Sequence, residues 1–572
     1  MTWQGFMQIF VLVAVVAAVG WLLSRYMYAA LEAPGGRTFM DRVLVPCERG
    51  VYRLLRVDPT VEMRWTTYVF TLLAVNAMGF VVLIVLIALQ PVLPLDPAHL
   101  PHVPFWVNLN TAISFMTNTN WQAYGGESTQ SYLSQMWLTV QQFLSPVTGI
   151  CLFLAVARGF SRHSVNTLGN FWRDFIRTLL WVAIPIAIIG AIVLMGLGSV
   201  ENIHAYTVVH TLQGGRQVIA QGPVASYESI ASLGDNGGGF MNTNVGHPFA
   251  GPNAAAALWI LILGFSVPVA CIFMFGKIVN DRRQSWPIFA TMTILFVVGA
   301  VVMYVAEAAG NPALAAHHII LAGSQNMVGK DTRFGIGEST LFNNSTTAVS
   351  WGAVSASNDS MTPIGGLVPL FNMMTGEVIF GSWGAGMIGM IAYAVLAMFL
   401  SGLMIGRTPE YLGKKIEAFE VKMAVLSLVV PSLVILVLAA ISVAIKPGTS
   451  GIFNPGPHGL SEVLYTFSSG VGNNGSAFGG LNAASPWYAA TVGLAMLFGR
   501  FPMYIPLVAM GASLARKQKV PVSAGTFPTH GPLFTMLLTG TVVIVGALIF
   551  FPALALGPFA EQFAAHAGHL FG

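Results

Sequence analysis

Long uncharged apolar segments alternate with polar segments along the whole chain. Ten of them are long enough to cross, as helices, the roughly 30 Å of hydrocarbon in a bilayer. They lie near 5–25, 66–90, 136–156, 177–198, 254–276, 286–306, 378–405, 424–445, 486–512 and 533–556. This pattern predicts an all-α polytopic membrane protein with about ten transmembrane helices. The first segment is expected to be a retained span, because no positive residue precedes it and Arg25 follows it.

The distribution of positive charge predicts how these helices are oriented. Five loops, with the adjoining span residues, hold 22 of the 26 Lys and Arg residues, and these loops are 26–65, 157–176, 277–285, 406–423 and 513–532. The opposite side holds Arg216, Lys330, Arg333 and Lys446. By the positive-inside rule the first set faces the cytoplasm. Because the number of spans is even, both termini are expected on the outer, periplasm-like face.

Composition excludes several classes of protein. Only 8% of the 572 residues are charged and 55% are hydrophobic, whereas soluble domains carry about a quarter charged residues. No basic tract suits nucleic acid, and the three cysteines are too far apart for a disulfide framework or a CxxC metal site. The sequence also lacks nucleotide-binding and phosphorylation motifs. The chain is therefore expected not to hydrolyse ATP by itself.

Four of the five outer loops contain a weakly apolar stretch of ten to fifteen residues followed by a cluster of Gly, Asn, Ser and Thr, at 117–122, 234–239, 347–352 and 469–476. Measured from Asn120, Gly237, Gly352 and Gly475, successive clusters are 117, 115 and 123 residues apart. One such cluster is typical of a plain turn, but four in register indicate a fourfold repeat of helix, half-helix with loop, and helix. The repeats are predicted at 65–156, 173–276, 286–406 and 420–514, with extra helices at 1–27 and 531–558.

The repeat predicts a chemistry as well as a fold. Irregular backbone at membrane depth is tolerated only where it is buried in protein or lines a wet cavity. Glycine-rich turns can aim carbonyl oxygens at one axis, and the half-helices direct their negative ends to the same place. Neutral carbonyls suit a weakly hydrated monovalent cation, and only Asp235 adds a charge to the clusters. We therefore expect a K⁺ filter and, because the outer histidines lack ligand spacing, no other metal site.

Two charged residues within or beside spans require a role, because charge is costly in hydrocarbon. Arg500 follows the fourth cluster by about 25 residues, which at about 1.5 Å per residue places it below the loops. There it would oppose a cation moving straight through. The alternative is structural, with Arg500 bonded to helix-end carbonyls or extended towards the membrane surface. Glu377, at the start of the seventh segment, is expected either to pair with such a charge or to attract cations.

The segments NTNWQ at 118–122, NGGGF at 236–240, GEV at 376–378, LMIGRTPEYLGKK at 403–415 and NNGSAF at 473–478 resemble motifs of the KdpA family. These proteins are the potassium-binding subunits of bacterial Kdp potassium-transporting ATPases. The resemblance covers essentially the whole chain, and its most specific part runs from Arg407 to Lys415. Since the family is similar in fold to Trk, Ktr and HKT potassium transporters, the resemblance implies four helix–pore loop–helix repeats around a central selectivity filter.

The resemblance implies a function and a set of partners. The chain would bind periplasmic K⁺ at a bacterial inner membrane and deliver it through an intramembrane tunnel to KdpB, a P-type ATPase, in a complex with KdpC and KdpF. Membrane lipid would surround it, and K⁺ would be the transported ion with no cofactor in this chain. The alternative is a stand-alone Trk/Ktr-type channel or transporter. A membrane-embedded enzyme is a third hypothesis, but the sequence shows no converging nucleophile, base or metal ligands.

The resemblance also assigns residues. Gln122 is expected to tune K⁺ affinity, and Arg500 to form a cationic barrier in the fourth repeat. Trp351 and Asp235 depart from the family pattern, which has small residues there, and Asp235 is expected to raise affinity by lowering the potential at the mouth. The filter is expected to comprise Thr117, Asn118, Thr119, Asn120, Asn236, Gly237, Gly238, Gly239, Ser350, Trp351, Gly352, Asn473, Asn474, Gly475 and Ser476.

Overall fold

A computed structural model describes residues 2–319, 325–376, 378–406, 408–521 and 526–569 of the chain. Ten helices in these ranges are long and apolar enough to cross a membrane, which confirms the predicted all-α polytopic fold. These spans, numbered one to ten in chain order, are Trp3–Leu31, Trp65–Ala88, Tyr132–Ser161, Phe171–Gly196, Ala254–Ile278, Ser285–Ala308, Ala385–Ile405, Ala418–Ala444, Pro486–Arg516 and Pro532–Leu554.

Four shorter helices follow spans two, four, six and eight, as the weakly apolar stretches in the sequence predict. We call them half-helices one to four, and they are Phe105–Met116, Val224–Leu233, Gly335–Ala348 and Pro457–Val471. Each leads into one of the polar clusters, and we call the segments 117–120, 234–239, 349–352 and 472–476 central loops one to four. The central loops are almost completely buried, so their polar backbone must find partners inside the protein.

The spans divide into an inner and an outer set. Spans three, five, seven and nine, which follow the central loops, have 89, 83, 67 and 61% of their most apolar stretch buried. The other six have 22 to 50% buried. Because an outer helix faces lipid on one side, this difference indicates that the second helix of each repeat lies towards the centre. Span one packs against span five, and span ten against span six.

Two inner spans contain a proline that removes a helical hydrogen bond close to the central loops. Pro146 lies within span three and Pro268 within span five. A proline has no amide proton, so the carbonyl four residues earlier becomes available to another donor. In span three this is the Gln142 carbonyl, which accepts a 3.1 Å hydrogen bond from the Asn236 side chain in central loop two. The carbonyl freed by Pro146 thus helps to hold central loop two in place.

The seventh span begins later than the sequence predicts. The hydrophobic pattern predicts a helix from 378, but the helix begins at Ala385 and a separate short helix, Pro363–Met374, precedes it. Between them Phe380, Ser382 and Gly384 have φ angles of 58°, 26° and 83°, which a right-handed helix cannot contain. The predicted start was wrong because the intervening residues are apolar enough to continue the pattern while their backbone turns away from it.

The remaining elements lie in the connecting segments. Two antiparallel hairpins pair Thr207–His210 with Arg216–Ile219 and Glu410–Tyr411 with Lys414–Lys415. The further α-helices are Asp41–Leu55, Gly126–Thr129, Pro312–Ala316, Lys446–Thr449 and Ala560–His566. Single turns of 3₁₀-helix are Gln90–Val92, Asn244–Gly246, Arg282–Gln284 and Asn358–Ser360, and π-helical turns are Thr178–Ala183 and Ala555–Phe559.

Candidate ion-binding site

All four half-helices end in the same backbone motif. The residue after the C-cap takes a left-handed conformation, and the next amide donates a hydrogen bond of 2.8 to 3.0 Å to the carbonyl five residues earlier. This pair of features defines a Schellman motif. The left-handed residues are Asn118, Asp235, Ser350 and Asn473, with φ angles of 69°, 51°, 57° and 49°. Asn and Asp are the non-glycine residues that best tolerate this conformation, so the polar clusters suit the ends of these helices.

The central loops touch one another where glycines lie. A methyl group added to Gly237 would lie 2.5 Å from the carbonyl oxygen of Asn474 and 2.7 Å from that of Thr119. The Gly237 amide also donates a 3.2 Å hydrogen bond to the Thr119 carbonyl. Gly352 and Gly475 have φ angles of 98° and 97°, which side chains rarely adopt. Backbone from different repeats therefore meets in a space that only glycine fits.

Hydrogen bonds join the four repeats in a closed ring around this meeting point. The Asn118 side chain donates to the Asp235 carbonyl at 3.3 Å, linking loops one and two. Asn474 donates to the Thr346 carbonyl at 3.0 Å and links loop four to half-helix three. The ring is completed by two bonds, from the Gly246 amide to the Val354 carbonyl at 3.0 Å and from Asn473 to the Thr119 hydroxyl at 2.8 Å.

Trp351 and Asp235, the two residues expected to differ from the resembled family, have their side chains packed behind the loops. The Trp351 ring is 1% exposed and packs against Phe342, with ring centroids 5.8 Å apart. It also covers Gly264 of span five, where an added methyl group would lie 3.0 Å from the indole. The Asp235 carboxylate lies beside the same glycine and is fully buried. Gly264 thus provides the space that both larger side chains occupy.

Gln122 ties the first repeat to the second just beyond central loop one. Its side-chain nitrogen donates to the Gly239 carbonyl at 3.1 Å, and its oxygen accepts from the Gly239 amide at 3.0 Å. This pair of hydrogen bonds to one residue fixes both the position and the direction of the Gly239 backbone. Because its amide group carries no charge, Gln122 is expected to influence loop two by positioning the loop backbone.

Replacing Gln122 with alanine is expected to raise the K⁺ concentration for half-maximal uptake roughly ten- to thirtyfold, since two hydrogen bonds worth about 1 kcal/mol each are lost. Uptake by the assembled transporter measures the effect. The control is Gln217→Ala, because Gln217 is exposed in the strand Arg216–Ile219. Equal half-saturation in the two variants would show that the bonds to Gly239 do not position the site.

Arg500 is buried in span nine and reaches across to span three. Its guanidinium donates to the Ser145 carbonyl at 3.0 Å and the Thr148 hydroxyl at 3.3 Å. The Ser145 hydroxyl in turn donates to Asn118 at 2.8 Å. One residue, Ser145, therefore connects the guanidinium to central loop one, so the positive charge is placed close to the loops. Glu377, the other charged residue singled out in the sequence, lies outside the described residues.

Comparison with known proteins identifies the family. Residues 10–563 match the family model KdpA, described as the potassium-transporting ATPase A subunit. The chain belongs to the KdpA family.

Individual relatives of this KdpA-family chain are similar over their full length. A protein named potassium-transporting ATPase potassium-binding subunit from Brucella anthropi is 50% identical over 572 residues, which cover 100% of both chains. A protein with the same name from Solibacter usitatus is 49% identical, again over 100% of both. Among solved structures, the potassium transporter TrkH from Vibrio parahaemolyticus matches 87% of this chain and 98% of its own at 16% identity, with a TM-score of 0.49.

The KdpA-family chain also contains a charged cluster that the sequence did not reveal. His458 lies in the first turn of half-helix four, and its ring nitrogens lie 2.7 Å from Glu561 and 3.1 Å from Asp359. Glu462, one turn further along, lies 3.6 Å from the imidazole. The acidic partners come from segments about 100 residues away on either side, so spacing gives no signal of the cluster. Burial lowers the pKa of His458, but hydrogen bonds and charges from Asp359 and Glu561 outweigh it and raise that pKa to about 10.

This cluster is expected to make the attachment of the helix Ala560–His566 depend on pH. A histidine whose pKa is higher in the folded than in the unfolded state stabilises the fold below about pH 6.5, and the contribution is lost as pH rises towards 10. The thermal midpoint is therefore expected to fall across that window, and to fall less in His458→Gln. Parallel pH profiles of the two proteins, measured by thermal unfolding, would contradict this role for His458.

Proposed function

We propose that this chain binds K⁺ at the centre of its four loops and passes it to an ATP-hydrolysing partner in an uptake complex. The observation that carries the proposal is the closed ring of hydrogen bonds among the segments around the central loops, with a Schellman turn of similar geometry at the end of each half-helix. Family membership supports the same conclusion, since the relatives are named as potassium-binding subunits of a potassium-transporting ATPase.

The ligand chemistry favours K⁺ over other cations. The central loops offer backbone carbonyls and neutral Asn, Ser and Thr side chains, with Asp235 as their one carboxylate. Ca²⁺ normally attracts several carboxylates, and transition metals prefer His or Cys ligands. Neutral oxygens instead replace the hydration shell of a weakly hydrated monovalent ion. The proposed filter consists of the loop residues assigned from the sequence, with Gln122 and Asp235 tuning its affinity.

The position of Arg500 supports a sideways route for the ion. A cation that moved straight on from the loops would approach the guanidinium, which is held in place by Ser145 and Thr148. We infer that K⁺ instead leaves through an intramembrane tunnel towards KdpB, with KdpC and KdpF completing the complex. In this arrangement the chain lies in the bacterial inner membrane with both termini in the periplasm, as the distribution of Lys and Arg predicts.

Reconstitution tests the proposal. The chain alone, in vesicles with ATP, is expected not to concentrate K⁺, whereas the complete complex purified from the same membranes concentrates it. ATP-driven accumulation by the isolated chain would overturn the proposal that a partner subunit hydrolyses the ATP. Rapid K⁺ flux through the isolated chain down a gradient would favour the alternative, a stand-alone channel or transporter of the Trk/Ktr type.

A further inference from the structure

A basic cavity lies near the end of spans one and five and the start of span six. The charge distribution assigns this side of the membrane to the cytoplasm. It has a volume of about 510 Å³. Three positive side chains line it, Arg25 from span one, Lys277 from span five and Arg282 from the turn before span six. Two tryptophans, Trp21 and Trp286, complete its rim. None of these residues takes part in the ring of central loops.

The three cations converge on the cavity, and no carboxylate of the described residues forms an ion pair with any of them. Within the described ranges, no ion pair is formed by Arg25, Lys277 or Arg282, although both arginines lie close enough to repel the Lys277 ammonium. The neighbouring carboxylate, Asp281, is paired with Arg283 at 3.1 Å. Like charges held together around a cavity are stabilised when an anion enters it. The cavity is therefore built for a negatively charged ligand.

Neutral contacts hold two of the cations in position. The Lys277 ammonium donates a 3.0 Å hydrogen bond to the hydroxyl of Ser24, a buried residue of span one. The Arg25 guanidinium stacks over the Trp21 ring at 3.7 Å from its centroid. Such contacts orient a charged group and leave other donors available for a ligand.

We propose that this cavity binds the phosphate headgroup of an anionic glycerophospholipid. The surroundings favour a lipid over a soluble anion, because Trp21 and Trp286 are 41 and 57% exposed at the ends of membrane spans, where indole rings lie at headgroup level. Phe273 adds an apolar wall on the same cavity, against which an acyl chain can lie. Basic pockets between the ends of transmembrane helices bind anionic headgroups in this way.

A photo-crosslinkable phosphatidylglycerol analogue, incorporated into nanodiscs with the complete transporter complex, tests the proposal. Crosslinks mapped by mass spectrometry are expected within 21–28 and 273–286. The double variant Arg25→Gln/Arg282→Gln is expected to lower this crosslinking about fivefold for each charge removed. Arg283→Gln, one residue away but paired with Asp281, is the matched control and should crosslink as the unmodified complex does. The double variant leaves Lys277 and its bond to Ser24 in place, so the spans keep their contact.

Two further arms identify the ligand. A phosphatidylcholine analogue is expected to crosslink weakly at these segments, and excess inorganic phosphate is expected not to displace phosphatidylglycerol. Equal crosslinking by both lipids, or no loss in the double variant, would overturn the proposal. Displacement by inorganic phosphate would assign the cavity to a soluble anion and overturn it as well. Crosslinking does not depend on K⁺ binding. The lipid proposal can therefore be tested even if the proposed transport function is wrong.

Discussion

Alanine at position 475 is expected to raise the K⁺ concentration for half-maximal uptake roughly ten- to a hundredfold, the equivalent of about 1.4 to 2.8 kcal/mol. Gly475 has a φ angle of 97°, and a side chain held in such a conformation costs about 1 to 3 kcal/mol. The added methyl group would also collide with the Thr119 carbonyl and lie 2.7 Å from the Gly237 Cα. Relief of both conflicts moves the backbone of two other loops, one and two.

The measurement is K⁺ uptake by the reconstituted complex over a range of external concentrations. Gly540→Ala is the matched control, because Gly540 lies within span ten and a methyl group there would meet nothing within 4 Å. Copurification of the partner subunits shows whether each variant is assembled. An assembled Gly475→Ala complex with the affinity of the control would show that the fourth loop does not contribute to the site.

The second large effect is expected at Arg500, where glutamine should permit K⁺ leak and weaken the coupling of ATP hydrolysis to uptake. Two unit charges about 6 Å apart repel by roughly 3 kcal/mol at an effective dielectric constant of 20, which suppresses occupancy about a hundredfold. Glutamine removes this charge but can still donate to the Ser145 carbonyl, so the link between spans nine and three is retained. Affinity at the central loops should change little.

Leak is measured as K⁺ efflux from loaded vesicles without ATP, and coupling as K⁺ transported per ATP hydrolysed. Arg500→Lys retains the positive charge, so this variant should show no K⁺ leak. Arg516→Gln removes an exposed arginine from the end of the same helix and should behave as the unmodified complex. A tight, fully coupled Arg500→Gln complex would refute the barrier, and loss of assembly in this variant would instead assign Arg500 a structural role.

The sequence predicts the spans and half-helices well because lipid imposes a strict requirement on both composition and length. It also places the four polar clusters, and in three of them the left-handed residue is an Asn or Asp, which suits a helix end. It cannot predict the bonds that close the ring. Asn474 could donate to many carbonyls, and the one it reaches, Thr346, lies 128 positions earlier. Only the packed arrangement of the repeats selects that partner.

The sequence also does not predict the packing of the side chains behind the loops. The sequence shows that Trp351 is larger than the small residue the resemblance leads one to expect there, but it does not show where the space for the ring comes from. That space is created by the missing side chain of Gly264, on a different repeat. The seventh apolar segment shows the converse, since its composition suits a helix while its backbone at Phe380 and Ser382, before the seventh span begins, is not helical. In both cases tertiary contacts decide what local composition leaves open.

The bond from Asn473 to Thr119 joins residues 354 positions apart, and this separation has a consequence for biogenesis. At about 5 to 20 residues per second, the ribosome needs on the order of twenty to seventy seconds to make the intervening chain. During that interval the polar groups of central loop one lack their partner from the fourth repeat. The nascent protein must therefore be sheltered from lipid, by the insertion machinery or by its own earlier spans, until the last repeat arrives.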